Sequence, residues 1–132
     1  LASFVAGSNP FRGGPYAGRV RHVALTRRGN TMYIFFTGIG DAPERIMAST
    51  MELAGDWDTW RVSAPMEVLQ PAADYECTHL PNAPSEGGDV KGPVRQLRDP
   101  GLFEEDGRTY LFYSYCGEQG IAAAELTFTG VP

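Results

Sequence analysis

Two carboxylates, two histidines and two arginines are the residues from which this chain could build a reactive site. Asp99 stands in Arg98-Asp99-Pro100 and Glu76 in Glu76-Cys77. Such a pair divides acid and base work when burial or a like charge keeps one member protonated. These two are the candidate catalytic residues. His22 and His79 add ring nitrogens for hydrogen bonding, and Arg21 and Arg98 offer forked donors suited to carboxylates. Asp41 and Glu118 each follow a glycine, in Gly40-Asp41 and Gly117-Glu118. His22, Arg21, Arg98, His79, Asp41 and Glu118 are therefore the candidate substrate-binding set. No metal site and no cofactor are expected.

Each of these residues also has a plainer reading. Asp99 turns the chain into a strand, with Pro100 fixing its direction. His22 is a hydrogen-bonded histidine at a strand start, and Glu76 a solvated loop residue. Arg21 and Arg98 pair with acidic neighbours, and Glu44 and Arg45 tie loops together rather than touch a ligand. Trp57 and Trp60 suggest a stacking platform, but their place near an outer strand favours packing between sheets.

The elements that must position these residues come from a repeat. Val20 to Thr26 and Met32 to Thr37 are apolar runs around the turn Arg28-Gly29-Asn30. Leu102-Phe103 and Thr109 to Tyr115 flank Glu105-Asp106-Gly107 in the same way, and Asp-Gly between such runs signals a hairpin. Shifted by 77 positions, Arg21 falls on Arg98, and the register holds through Asp41 and Glu118. Leu25 then matches Leu102, Tyr33 matches Tyr110, Phe35 matches Phe112 and Gly40 matches Gly117. Third strands are predicted over 45–50 and 120–126 and a fourth over Asp58–Val62, with Thr127-Phe128-Thr129 beginning the corresponding strand of the second unit.

Repeated antiparallel units of three or four strands point to propeller blades. Tyr33-Ile34-Phe35-Phe36 needs cover on both faces, as a blade has between its neighbours. The expected fold is all-β: two antiparallel blades of a β-propeller in a single partial domain over 1–132. The first blade spans 18–62, a Pro- and Gly-rich connector 63–95, and the second blade 96–132. In a meander of this kind the start of the inner strand, the loop after the second strand and the connector share one end. His22 and Asp99 then become equivalent residues lining one hollow.

Over Gly18–Leu25, Gly40–Ile46 and Leu97–Leu126 the chain resembles the five-bladed propellers of glycoside hydrolase families 43, 32 and 68. The resemblance covers only the last two blades, which implies missing N-terminal blades or a homo-oligomer. Arg98-Asp99-Pro100 and Glu76-Cys77 are similar to two short family 32 motifs, in which the Asp stabilises the transition state and the Glu is the acid/base. Their order is reversed here. The resemblance implies a carbohydrate ligand, hydrolysed only when the fold is completed; a non-catalytic sugar-binding module and a ligand-free assembly module are the alternatives. Hydrolysis of this type sets two carboxyl groups about 5–5.5 Å apart for retention, or about 6.5–9.5 Å for inversion.

Composition narrows the partners. The chain has 132 residues, 42% hydrophobic and 20% charged, with a net charge of −5. That balance disfavours nucleic acid, whose phosphates call for clustered Lys and Arg. The apolar runs are too short to span a membrane, so no membrane partner is expected. The chain opens Leu1-Ala2-Ser3-Phe4, which reads as a truncated or processed end with no visible leader. Cys77 and Cys116 lack zinc-ligand spacing and are expected as two reduced, partly buried thiols; one bridge would form only in an oxidising compartment.

Overall fold

The structure, a computed structural model, describes residues 3–129. It is all-β. Strands β1 (Val20–Arg28), β2 (Thr31–Gly38), β3 (Ile46–Glu52) and β4 (Met66–Leu69) form one antiparallel sheet in chain order. Strands β5 (Arg98–Glu105), β6 (Arg108–Tyr115) and β7 (Gly120–Leu126) form a second. Both hairpins close at the turns read from the sequence, with Arg28 opposite Thr31 and Glu105 opposite Arg108.

The duplication extends to irregularities. The ladder slips between Arg21 and Ala24 in β1, and again between Arg98 and Gly101 in β5. A bulge in one strand of a pair bends it and re-aims a side chain. Here both bulges fall at the same repeat position.

The sheets stack as propeller-like blades, the innermost strands β1 and β5 adjacent. Alternation along β2 sends Phe35 to one face and Ile34 and Phe36 to the other. Phe35, Ile46 and Ala48 of the first blade pack with Leu97, Leu111 and Tyr113 of the second. Ile34, Phe36 and Met47 pack instead with Phe11 and Tyr16. The expected two-sided cover of β2 is present, but an irregular N-terminal arm supplies one side. Phe11 and Tyr16 meet Phe36 edge-on, with ring centres 5.0 and 5.1 Å away.

Three expectations are corrected. Asp58–Val62 is not the fourth strand: Trp57–Thr59 forms a 3-10 turn, Val62 makes one isolated bridge to Met51, and β4 lies later, inside the expected connector. The first blade therefore extends to Leu69. Thr127-Phe128-Thr129 is not a strand. Phe128 crosses back to the first blade, where its ring meets Tyr33 at 4.8 Å and lies under the Arg28 guanidinium at 4.7 Å. Lastly, Trp57 packs on the arm rather than between blades, so close to Gly7 that a Cβ there would overlap its ring.

Candidate functional site

The paired bulges create the site. His22 and Asp99 adopt left-handed backbone, with φ of 52° and 51°. Aspartate and histidine are among the few non-glycine residues enriched there, which gives both positions a structural reason for their residue type. Each side chain is then held by its own second strand. Thr37 Oγ1 of β2 lies 3.3 Å from His22 Nδ1, and Ser114 Oγ of β6 donates to Asp99 Oδ2. Thr37 and Ser114 are themselves repeat equivalents. Across the blades, His22 Nδ1 and Asp99 Oδ1 stand 3.2 Å apart, with side chains 31% and 46% exposed. The structure thus brings His22 and Asp99 together, open to solvent, at one end of the stacked sheets.

Beneath them lies a buried charge network. Arg21 Nε donates to Glu44 Oε1 at 2.8 Å, and its Nη2 donates to Oε2. Arg98 Nε reaches the same Glu44 Oε2 at 3.3 Å, and Arg98 Nη1 reaches Glu118 Oε1 at 3.0 Å. Gln96 Oε1 accepts from Arg98 Nε and Nη2 at 3.0 and 2.7 Å. Glu44 and Arg98 are wholly buried. The bond to Glu44 raises the basicity of Arg21 against the cost of burial, with smaller support from Glu44, Asp99 and Glu118 as charges. Arg98, a candidate ligand-binding residue, has no face open to a ligand; it locks the two blades. Arg21 is nearly as enclosed, and Glu118 is the exposed end of the network.

Asp41 is likewise committed. Its Oδ2 accepts from Tyr16 Oη and its Oδ1 from Arg19 Nη2, both at 2.7 Å. Ser85 of the connector closes the same loop, donating its amide to Asp41 O at 3.0 Å and accepting from Gly40 N. The connector, loop and inner-strand starts do share one end, as the meander requires.

Burial, and then the bond to Asp41, push the Tyr16 hydroxyl up to about 12. An unfolded tyrosine releases its proton near pH 10. Between those values the folded chain binds more protons than the unfolded one, so stability present below about pH 10 is lost as pH rises. Denaturant midpoints should fall steeply over that window. Tyr16→Phe should flatten the fall while costing about 1 kcal/mol at neutral pH. An identical alkaline profile in the variant would refute this assignment.

Glu76 lies elsewhere. It is 3% exposed, and Oε2 accepts from the amides of Ala72 and Ala73 at 2.7 and 2.9 Å. Oε1 accepts from Tyr113 Oη at 2.9 Å. Tyr113 and Ser114 are consecutive on β6, so their side chains take opposite faces of the sheet. Glu76 therefore serves the inter-blade face, while Asp99 is held by a residue on the other. The structure does not set these two carboxylates across one cavity. Both Glu76 oxygens act as acceptors in ordering the 3-10 turn Asp74–Glu76. His79 is exposed on the connector beyond that turn and, among the described residues, makes no hydrogen bond to the dyad.

The cysteines are a further correction. Cys77 and Cys116 form a disulfide, with Cα atoms 5.1 Å apart. It ties the turn carrying Glu76 to the end of β6. Thirty-nine positions separate the two residues in sequence, and only the fold shows that they meet. Among the described residues, no group of three or more His, Cys, Asp or Glu side chains is placed to hold a metal ion.

No protein-family model matches the chain. It is 48% identical over 115 residues to "Uncharacterized protein R118" of Acanthamoeba polyphaga mimivirus, a match covering 86% of this chain and 32% of the relative. The chain thus spans about a third of that relative's length. Among solved structures it is similar to the Cellvibrio cellulosa alpha-L-arabinanase complexed with arabinohexaose. That match has a TM-score of 0.46 and 15% identity, and covers 85% of this chain and 35% of the other.

Proposed function

We propose that this chain supplies part of a carbohydrate-binding surface in a propeller of glycoside hydrolase type, with His22 and Asp99 as the residues that meet the sugar. The observation that carries the reading is their convergence at 3.2 Å from equivalent bulges, exposed above a buried network. A carboxylate beside an imidazole, fixed by Ser114 and Thr37, is a preorganised acceptor and donor for vicinal hydroxyls. Hydrolysis needs a second carboxylate facing Asp99 from outside these two sheets, because Glu76 is occupied in ordering the connector. Glu118 and Arg21 border the site, and Asp41 stands further out, tying the loop through Tyr16 and Arg19.

The test uses Asp99→Asn and His22→Asn, since asparagine also tolerates left-handed backbone. Each variant should keep the fold and weaken oligosaccharide binding, followed by NMR titration, by about tenfold or more, the loss of one good hydrogen bond. Equal binding by wild type and both variants would remove the assignment, as would a wild type that binds no pentose or hexose oligosaccharide.

A second reading, assembly, is favoured by one surface. Shifted by 77 positions, the Tyr33 and Phe35 face of the first blade, which seats the second blade, becomes the Tyr110 and Phe112 face of the second. That face is open: Phe103, Phe112 and Ile121 are 48%, 40% and 76% exposed. We propose that a further sheet covers it in the complete assembly, and that the isolated chain self-associates there. Sedimentation velocity should show concentration-dependent association that Phe112→Lys abolishes. A dilute and concentrated monomer alike would reject this reading.

A further inference from the structure

Under the N-terminal arm lies a cavity of about 370 Å³, away from His22 and Asp99, between residues 10–16 and the strands and turn of the first blade. That size is at the small end for ligand pockets, which run from about 300 Å³ upward. Phe11, Tyr16, Pro10 and Pro65 supply apolar wall, and Arg12, Arg61 and Ser49 supply polar groups. Ser49 is the telling residue. It sits on β3 on the same face as Met47, 1% exposed, and its Oγ has no hydrogen-bond partner. A buried hydroxyl without a partner is costly, and natural proteins rarely keep one without a use.

The two arginines are held by their backbone bonds with donors to spare. Arg12 gives Nε to Asn9 O and Nη2 to Asp58 O, at 3.1 and 2.6 Å. Arg61 gives Nη1 to Thr59 O and Trp60 O, at 2.9 and 2.8 Å. Among the described residues, Arg12 Nη1 and Arg61 Nε and Nη2 have no acceptor. Asp58 is an acidic group near both: its bonds to Ser8, and then the charges of the two guanidiniums, hold its carboxyl below the ordinary aspartate range. Asp56 stands beside Asp58 and accepts from its amide, so the acids balance the two cations, and it is the unused Arg12 and Arg61 donors that offer a place for an anionic group.

We propose that this cavity binds a small monoanion bearing hydroxyl groups, a hydroxy-carboxylate of monosaccharide size. Its carboxylate lies against Arg12 and Arg61, a hydroxyl accepts from or donates to Ser49 Oγ, and its apolar face lies on Tyr16 and Phe11. Forked guanidinium donors favour a planar carboxylate, and the remaining walls are too apolar to suit a more highly charged ligand.

The test is a ¹H–¹⁵N NMR titration of the whole chain with D-glucuronate, D-glucose and inorganic phosphate. Glucuronate should shift amides of residues 10–16 and 61–64 saturably, glucose should not, and phosphate should bind at least tenfold more weakly. Ser49→Ala and Arg61→Gln should each weaken glucuronate by about tenfold, the loss of one charge-assisted or buried hydrogen bond. Ser49→Ala should leave the denaturant midpoint unchanged or raise it, since the hydroxyl it removes has no partner. Failure of glucuronate to bind, binding indifferent to Ser49→Ala, or equal binding of glucose or phosphate would each overturn the proposal.

Discussion

Replacing Glu44 with alanine should lower the unfolding free energy by about 3–5 kcal/mol, the cost of stripping a buried cation of its partner. Glu44 is fully buried and binds arginines of both blades: Arg21 grips it from β1 and Arg98 from the start of β5. Without it, two guanidiniums remain in a low-dielectric interior. Arg98 would keep only Gln96, Gly88 and the exposed Glu118. Glu44→Gln restores an acceptor without the charge and should fall between the two. A double-mutant cycle of Glu44→Ala with Arg98→Met should depart from additivity by at least about 1 kcal/mol, since the residues share one network. The consequence reaches the site, because Arg21 precedes His22 and Arg98 precedes Asp99. If Glu44→Ala costs under about 1 kcal/mol in urea unfolding, water reaches the cluster and Glu44 does not clamp the blades.

That clamp also shows what the sequence displayed and what it hid. A shift of 77 positions was enough to pair the hairpins, to set His22 beside Asp99 and to place the loops and connector at one end. These follow from local turn chemistry and a repeated apolar pattern, both written in neighbouring residues. Glu44 as a loop tie was readable because it follows a turn and precedes Arg45 and a strand. Its two arginine partners come from different blades, so their shared carboxylate needed tertiary placement. The arm around Phe11 and Tyr16 has no periodicity of its own. Its aromatic side chains nevertheless complete the first blade's core, something that only the uncovered Ile34 and Phe36 face hinted at.

The misreadings have physical causes of the same kind. Trp60-Arg61-Val62 has strand-like residues, but Asp56 accepts from the amide of Asp58 and diverts the chain into a 3-10 turn. Strand β4 is only four residues long and sits between Pro65 and Pro71, where the prolines obscure it. The Glu76-Cys77 motif points to an acid, and the sequence does not display what Glu76 is bonded to. Its commitment depends on two backbone amides and on Tyr113, which stands 37 positions away. Ala73 cannot cap the turn with its side chain, so the usual capping signature is only half present in the sequence.

Reducing the Cys77–Cys116 bridge should cost about 4 kcal/mol, the loop-closure value for a cross-link spanning roughly 40 residues. Against the 5–15 kcal/mol typical of a folded domain, that is a large share. The loss should also be local before it is global. The bridge anchors the turn that presents Glu76 to Tyr113, whose hydroxyl burial pushes well above the ordinary tyrosine range. Released, the turn exposes Glu76 and the amides of Ala72 and Ala73 to water, while the ladders of β1, β2 and β3 keep their own bonds. Hydrogen exchange in the Cys77→Ser, Cys116→Ser double variant should therefore quicken first across residues 72–80 and at the β6–β7 loop. The melting temperature should fall by roughly 15 °C, at about 4 °C per kcal/mol for a chain between the smaller and larger domain classes. A reduced chain, verified by mass, that melts where the oxidised one does would show that Glu76, Ser85 and the connector's other bonds hold it without the bridge.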